Sequence, residues 1–226
     1  MRARLAVAIV AHSNRDLLLD ALAALDGHEV HVLDNASEDG TCDAVRERFP
    51  AVDLVAQPFR DGFGANHNRL LARSDAPYHL ILNDDATVEP GAIDRLAAHL
   101  DAHPAVAVAA PRIVYPDGRH QPSSFRFPDP ATCLRSLATL GQAGIEQRVD
   151  GAAAAVDWAS GCALLLRRSA LELTGPFDEG FYMFSEETDL QRRLSDRWYR
   201  THVVPQATVR HHVRASTGGD PSRRIV

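Results

Sequence analysis

The chain has 226 residues, 45% of them hydrophobic and 24% charged, with a net charge of −6 at neutral pH, which suits one sizeable domain, or a domain with a small appendage. The acidic balance argues against general nucleic-acid affinity, which needs a basic face, and no apolar run reaches bilayer-spanning length. Cys42, Cys133 and Cys162 are odd in number and widely spaced with no paired CxxC, which argues against a disulfide framework or structural zinc and points to a reducing compartment.

The start, MRARLAVAIVAHSN, resembles a signal peptide in its arginines, but its apolar part is only Leu5 to Ala11 and reads as a first strand. Leu17, Leu18, Leu22 and Leu25 then recur at helical spacing behind Ser13 or Asn14 as a cap. Val30 to Leu33 is a second strand ending in Asp34 and Asn35. The polar turn DNASEDGT leads into a helix from Cys42 to Phe49, and Val52 to Ala56 is a third strand, the start of a βαβ series. Residues 60–68, RDGFGANHN, open an amphipathic stretch that ends near Arg73. Their glycines either let the backbone approach a ligand closely or simply turn the chain before a helix.

The chain is organised around HLILNDDATVEP, residues 79–90, an apolar run that stops at Asn83, Asp84 and Asp85. Such a run is a buried strand whose acids emerge at its C-terminal end, the edge at which open α/β sheets bind ligands. Adjacent carboxylates repel each other unless a cation or hydrogen-bond donors neutralise them. A hard divalent metal does so and completes its shell with phosphate oxygens, which suggests a metal–diphosphate site. The structural alternative is an acidic turn before a helix opened by Glu89 and Pro90.

Gly91 to His103 reads as a helix and Ala105 to Ala110 as a strand, after which Arg112 to Gly144 is a proline-rich excursion of the kind that forms lids or binding loops. No regular element is assigned to Gly151–Val156. Ala163 to Leu166 is a buried strand, Arg168 to Leu173 a short helix stopped by Gly175 and Pro176, and Ser185 caps a helix carrying Glu186, Glu187 and Asp189 in its first turn. Thr201–Val204 and Ala207–Val209 form the last ordered piece, before His211, His212 and a Gly/Ser/Arg-rich tail. Most of the eleven histidines sit singly among charged residues, which predicts solvated side chains.

Five segments in order, IVAHSNR, VLDNASEDGT, DGFGANHN, LILNDDATVEPGAI and WASGCALLLRRSAL with FDEGFYMFSEETDLQRRL, resemble the family 2 glycosyltransferases, in their rhamnosyltransferase-like branch. The resemblance covers nearly the whole chain. It implies the GT-A fold, a Rossmann-like three-layer α/β/α domain with a central mixed, mostly parallel sheet. Within it, residues 1–110 would be the nucleotide-sugar-binding part and 111–226 the acceptor-side and catalytic-base part.

The implied activity is inverting, metal-dependent transfer of a sugar from a nucleotide-diphosphate donor, dTDP-rhamnose or a UDP-hexose, to a glycan or lipid-linked acceptor in bacterial polysaccharide or glycolipid synthesis. By resemblance, Asp34 reads the nucleotide base, with Asn35 and Ser37 in the same turn and Asn14 also on the donor side. Gly62, Phe63, Asn66 and Asn68 line the nucleotide and sugar. Asn83 and Asp84 belong to the DxD position with Asp85, the direct ligand of Mg²⁺ or Mn²⁺, and His211 approaches that metal as the tail from His211 to Gly219 closes over the donor. Trp158, Ser160 and Gly161 form the acceptor-side segment. Glu186 and Glu187 fall at the family's catalytic Glu-Asp pair, with Glu187 the expected base; helix geometry separately places Glu186 to serve the cap and dipole. The sequence departs from the family in Asn83, which replaces the first acid of the metal motif, and in Glu187, one methylene longer than the usual Asp. The resemblance also implies a cytoplasmic protein, peripheral at the inner membrane face. A related nucleotidyltransferase would need a basic glycine-rich loop that Ala11 to Arg15 does not supply, and a degenerate nucleotide-sugar-binding module would bind without turnover.

Overall fold

The apolar runs of the N-terminal half become adjacent parallel strands. In the computed structural model, which describes residues 4–130 and 146–213, β1 (Leu5–Ala11) lies between β2 (Glu29–Asn35) and β4 (Tyr78–Asn83), and β3 (Asp53–Gln57) flanks β2. Beyond β4 the sheet continues through β10 (Ala163–Arg167), β6 (Val106–Val114), β11 (Arg200–His211) and β5 (Ala86–Val88), with β8 (Ala154–Val156) also paired to β11. Strands β10, β5 and β8 run against the rest, so the sheet is mixed and mostly parallel, as expected. A two-stranded ribbon of β7 (Ser124–Phe125) and β9 (Trp158–Ala159) stands apart from it.

Alternation along the central strands divides the core in two. Leu80 and Leu82 of β4, with Leu165 of β10, pack with Leu18 and Leu22 of α1 (Arg15–Ala23), Val45 of α2 (Thr41–Arg48) and Leu96 and Leu100 of α4 (Ala92–Ala102). Ile81, Leu164 and Leu166 point the other way, towards Leu71 of α3 (Phe63–Leu71), Leu171 of α5 (Arg168–Thr174) and Leu190 and Leu194 of α6 (Glu186–Ser195). The period of two therefore yields three layers, helices on both faces of the sheet. Truncating a fully buried residue such as Leu18 or Leu165 to Ala costs about 2–5 kcal/mol.

Several local expectations are corrected. Gly151–Val156 is not without structure, since β8 pairs Ala154–Val156 with Thr201–Val203. β5 follows the acids directly, and α4 starts at Ala92 behind left-handed Gly91, so Pro90 does not open it. β6 runs on to Val114, into the expected excursion. The two late strand pieces are one strand, β11, whose register shifts between Val204 and Thr208. Neither Asn14 nor Ser185 makes a side-chain cap bond, although each occupies the N-cap position of its helix. The histidines are not mainly solvated: His31, His67, His79 and His211 are buried.

Candidate active site

The strand ends define the site. Parallel β1, β2 and β4 finish together at one edge of the sheet, where Val10, His12 and Asn14, Asn35, and Asn83 and Asp84 form the floor of a cleft of about 220 Å³. Its other walls are Arg60, Asp61 and Phe63 before and within α3, Ser160 to Cys162 after β9, and Met183, Phe184, Glu186 and Glu187 at the start of α6. A cleft at strand C-termini, where connections leave a central strand in opposite directions, is the usual ligand position in open α/β sheets. Ser13, Ala36, Phe184 and Ser185 around it have φ between 53° and 75°, the strained left-handed conformation that concentrates at functional sites.

Asp84 is held by its neighbours on β1. It accepts the His12 backbone N–H at 2.9 Å, and the Asn14 amide donates to both carboxylate oxygens at 3.1 Å, which accounts for the missing cap bond of α1. Burial nevertheless pushes its pKa up to about 7, with the adjacent Asp85 carboxylate contributing in the same direction. Asp85 is 2% exposed; its Oδ1 lies 3.0 Å from His211 Nε2, while its Oδ2 is buried without a partner among the described residues. The Ala86–His211 pairing of β5 with β11 brings the two together. On its other side His211 meets the Gln121 amide through Nδ1 at 3.0 Å. Burial opposes a charge on His211, but Cys162 and the Asp85 carboxylate outweigh it and push the imidazole up to about 10.

Asp34 is the last residue but one of β2, with its Oδ2 accepting the Ser37 N–H at 3.1 Å and its Oδ1 buried with no partner among the described residues. Ser37 Oγ in turn accepts the Ser13 N–H at 2.9 Å, so the base-side turn and the end of β1 are tied. Asn35 and Asn66 build the loop and are largely occupied within it. Asn35 donates to the Asp61 carbonyl and accepts from Gln57 and the Asp61 N–H, and fully buried Asn66 donates to the same carbonyl while accepting from Gln57 and Arg69. Asn68 reaches the other way and holds both backbone groups of Phe177. Gly62 is required for space: a Cβ there would come within 2.6 Å of the Tyr182 carbonyl, which accepts the Phe63 N–H at 3.0 Å.

Glu186 and Glu187 both line the cleft, whereas Asp189 turns away and pairs with Arg193 at 2.8 Å. Glu186 is 3% exposed, and its Oε2, like that of Glu187, has no partner among the described residues. The left-handed Phe184–Ser185 turn aims the first helical turn into the cleft in place of a capped start. Burial, aided by the charge of Glu187, pushes Glu186 up to about 7. Burial also raises Glu187, partly held back by the backbone amides of Glu187, Gly161 and Thr188. On the wall opposite α3, a Cβ on Gly161 would meet the Phe63 ring at 3.2 Å, so this segment sits tightly against the site. Ser160 lines the cleft and accepts the Cys162 N–H at 3.3 Å, while Trp158, not a lining residue, packs its ring at a tilt against Phe125 and donates to the Arg126 carbonyl.

The cleft thus collects Asn14, Asn35, Phe63, Asn83, Asp84, Ser160, Gly161, Glu186 and Glu187; Asp34, Ser37, Gly62, Asn66, Trp158, Asp85 and His211 are not among its lining residues. Residues that the sequence did not single out are His12, Arg60, Asp61, Cys162, Met183 and Phe184. His12 was detectable as the first polar residue after a strand. Gln121, which orients His211, gave no signal in its proline-rich surroundings. Of the expected closing tail, residues 214–219 lie outside the described residues.

A model of the glycosyl transferase family 2 matches residues 6–173. An N-acetylglucosaminyl-diphospho-decaprenol L-rhamnosyltransferase of Mycobacterium tuberculosis H37Rv is 33% identical over 236 residues, covering 95% of this chain and 76% of its own. The rhamnosyltransferase WbbL of Escherichia coli K12 is 24% identical over 219 residues, covering 91% and 82%. Among solved structures, the mannosyltransferase PcManGT from Pyrobaculum calidifontis, in complex with GDP-Man and Mn²⁺, matches with a TM-score of 0.67 and 22% identity over 96% of this chain. GalNAc-T7 with UDP, GalNAc and Mn²⁺ matches with a TM-score of 0.73 and 13% identity over 99%. The chain spans 59% and 46% of those two proteins, and at these identities the likeness establishes the fold.

Proposed function

The chain belongs to glycosyl transferase family 2 and has its GT-A fold, and from that premise we propose an inverting, metal-dependent sugar transferase of bacterial surface-polysaccharide synthesis. The donor is dTDP-rhamnose in preference to a UDP-hexose, and the acceptor a hydroxyl on a lipid-linked glycan at the cytoplasmic face of the membrane. Residues 1–110 form the donor part and 111–226 the acceptor and base part of one domain. The observation that carries this reading is that Asp84 at the end of β4 and Glu186 and Glu187 at the start of α6 line one cleft, with Asp85 and His211 directly behind.

Asp85 and His211 fit a divalent ion, Mg²⁺ or Mn²⁺. One Asp85 oxygen is buried and unpartnered among the described residues, and the His211 imidazole, whose protonated form is favoured by Cys162 and Asp85, sits 3.0 Å from the other, a place a cation can take as the proton leaves. Among the described residues no three His, Cys, Asp or Glu side chains converge as a complete shell, in keeping with a hard metal that relies on diphosphate oxygens and water for the remainder. When bound, such an ion offsets the negative charge that builds on the departing diphosphate.

Asp34 Oδ1, an acceptor with no partner among the described residues, suits the imide N–H of a pyrimidine. Asn14 and His12 fix Asp84 beside the diphosphate position. Glu187, raised by burial, removes the acceptor proton as the oxygen attacks from the side away from the leaving group. A single displacement of this kind inverts the sugar carbon. The test is a nucleotide-sugar panel with Mn²⁺, read by thermal shift and donor hydrolysis. dTDP-rhamnose should raise the melting temperature and be slowly hydrolysed, whereas no response to any nucleoside-diphosphate sugar would overturn the proposal.

A further inference from the structure

Two imidazoles meet between α4 and β11, on the face of the sheet opposite α6. Alternation along β11 turns Val203 towards the α6 side and leaves His202 and Val204 on the side of α4. There His99 Nε2 lies 3.0 Å from His202 Nδ1, and both rings are half-buried, so the gap between them is reachable from solvent. His103, one helical turn after His99, donates its Nδ1–H to the His99 carbonyl at 2.8 Å and stacks on the His99 ring with centroids 4.2 Å apart and planes 25° from parallel. The stack holds the plane in which His99 presents its Nε2.

As a structural contact alone the pair is costly. His202 Nε2 is buried with no partner among the described residues, a loss that an apolar side chain packed beside Leu96, Leu100 and Val204 would avoid. The spacing has a second meaning. Two nitrogens bound to one ion at about 2.0–2.1 Å lie about 2.9 Å apart at a right angle and about 3.3 Å apart at the tetrahedral angle. The observed 3.0 Å falls between the two, nearer the right angle of tetragonal Cu²⁺ or Ni²⁺. Imidazole nitrogens suit such ions, whereas Mg²⁺ takes oxygen ligands. Burial, then the neighbouring histidines and Arg200, push His202 down to about 4, and burial and His103 lower His99, so both rings are neutral at physiological pH and no proton competes for their lone pairs. Arg200 opposes a cation here, but its side chain is exposed and its field is screened by water.

We propose that His99 Nε2 and His202 Nδ1 are the protein ligands of a transition-metal site for a divalent ion of the Cu²⁺ or Ni²⁺ kind, with His103 as the residue that positions His99. Among the described residues no third His, Cys, Asp or Glu side chain joins them, so water completes the shell. His202 lies nine residues along β11 from His211, about 25–30 Å of extended strand. The site is therefore separate from the cleft, and it does not depend on the transferase reading.

The experiment titrates the full chain carrying Asp85→Asn, which weakens metal binding at the cleft, with Ni²⁺ and with Mg²⁺ by calorimetry at neutral pH. Ni²⁺ should bind with one ion per chain and at least about tenfold tighter than Mg²⁺. Adding His99→Gln or His202→Gln should each lower the Ni²⁺ affinity by about tenfold or more, and His103→Gln by less. Electron paramagnetic resonance of bound Cu²⁺ should show coupling to two imidazole nitrogens, one of them lost in His202→Gln. Ni²⁺ affinity undiminished by both His99→Gln and His202→Gln overturns the proposal, as does equal affinity for Ni²⁺ and Mg²⁺. Loss confined to His99→Gln and His103→Gln also overturns it, because the ion would then sit on the helix alone.

Discussion

Gln191 clasps Ala159 by both backbone groups: its Nε2 donates to the Ala159 carbonyl at 2.7 Å, and its Oε1 accepts the Ala159 N–H at 2.8 Å. The side chain thus acts as a substitute strand edge for β9, while the same Nε2 also donates to the Glu187 carbonyl at 2.9 Å. One buried amide fixes the acceptor-side segment Ser160–Gly161 relative to the proposed base. Gln191→Ala should cost about 1–3 kcal/mol in urea unfolding, because it strands buried backbone groups, and should lower kcat with dTDP affinity preserved. A variant with lost stability and an unchanged kcat would mean that the clasp does not position the base.

At the proposed metal position, Asp85→Asn removes the charge that pairs with His211 while keeping the shape. Nucleoside-diphosphate binding by the parent should require Mn²⁺ and be abolished by EDTA, and the variant should bind weakly under both conditions with no detectable transfer. Equal dTDP affinity with and without EDTA in the parent would count against metal-mediated binding.

Both Glu186 and Glu187 face the cleft, so their roles must be separated by substitution. Glu187→Gln should lower kcat by about two to four orders of magnitude with donor affinity nearly unchanged; Glu187→Asp should retain some activity, and Glu186→Gln should cost less than about tenfold. Because burial raises Glu187 and the base must be ionised to act, kcat should fall as pH drops through a value above that of an ordinary glutamate. Near-parent turnover by Glu187→Gln with loss in Glu186→Gln would transfer the role.

Far from the cleft, His202 on β11 meets His99 on α4 at 3.0 Å between Nδ1 and Nε2, and His103 stacks on His99 with centroids 4.2 Å apart. Burial, then the neighbouring His99, His103 and Arg200, push His202 down to about 4, and burial and His103 lower His99. Between pH 6.5 and about 4 the unfolded chain therefore binds protons that this folded cluster resists, and the cluster's contribution to stability falls as pH is lowered through that window. Melting temperature should decline more steeply from pH 6.5 to 4.5 in the parent than in His202→Gln; parallel slopes would remove the cluster from the acid response.

The sequence by itself determined the layered α/β fold and the edge that carries the site. Apolar runs stop at His12, Asp34 and Asn83 because that is where parallel strands leave the core, and a period of two or of 3.6 is a strong signal summed over many residues. It also supplied Asp84, Asp85 and Glu187 as candidates, since carboxylates at a strand end or in a first helical turn stand out locally. Only the tertiary structure decided how individual polar side chains are used. It turned Asn14 from a cap to Asp84, enclosed Asn35 and Asn66 in the Asp61 loop, aimed Glu186 into the cleft, and brought His211 to Asp85 through the pairing of β5 with β11. Asn14, Asn35 and His211 are turned by hydrogen bonds or ion pairs to residues distant in the chain, a typical such hydrogen bond contributing about 1 kcal/mol net. Local pattern does not encode such a choice; the packing of the whole sheet does.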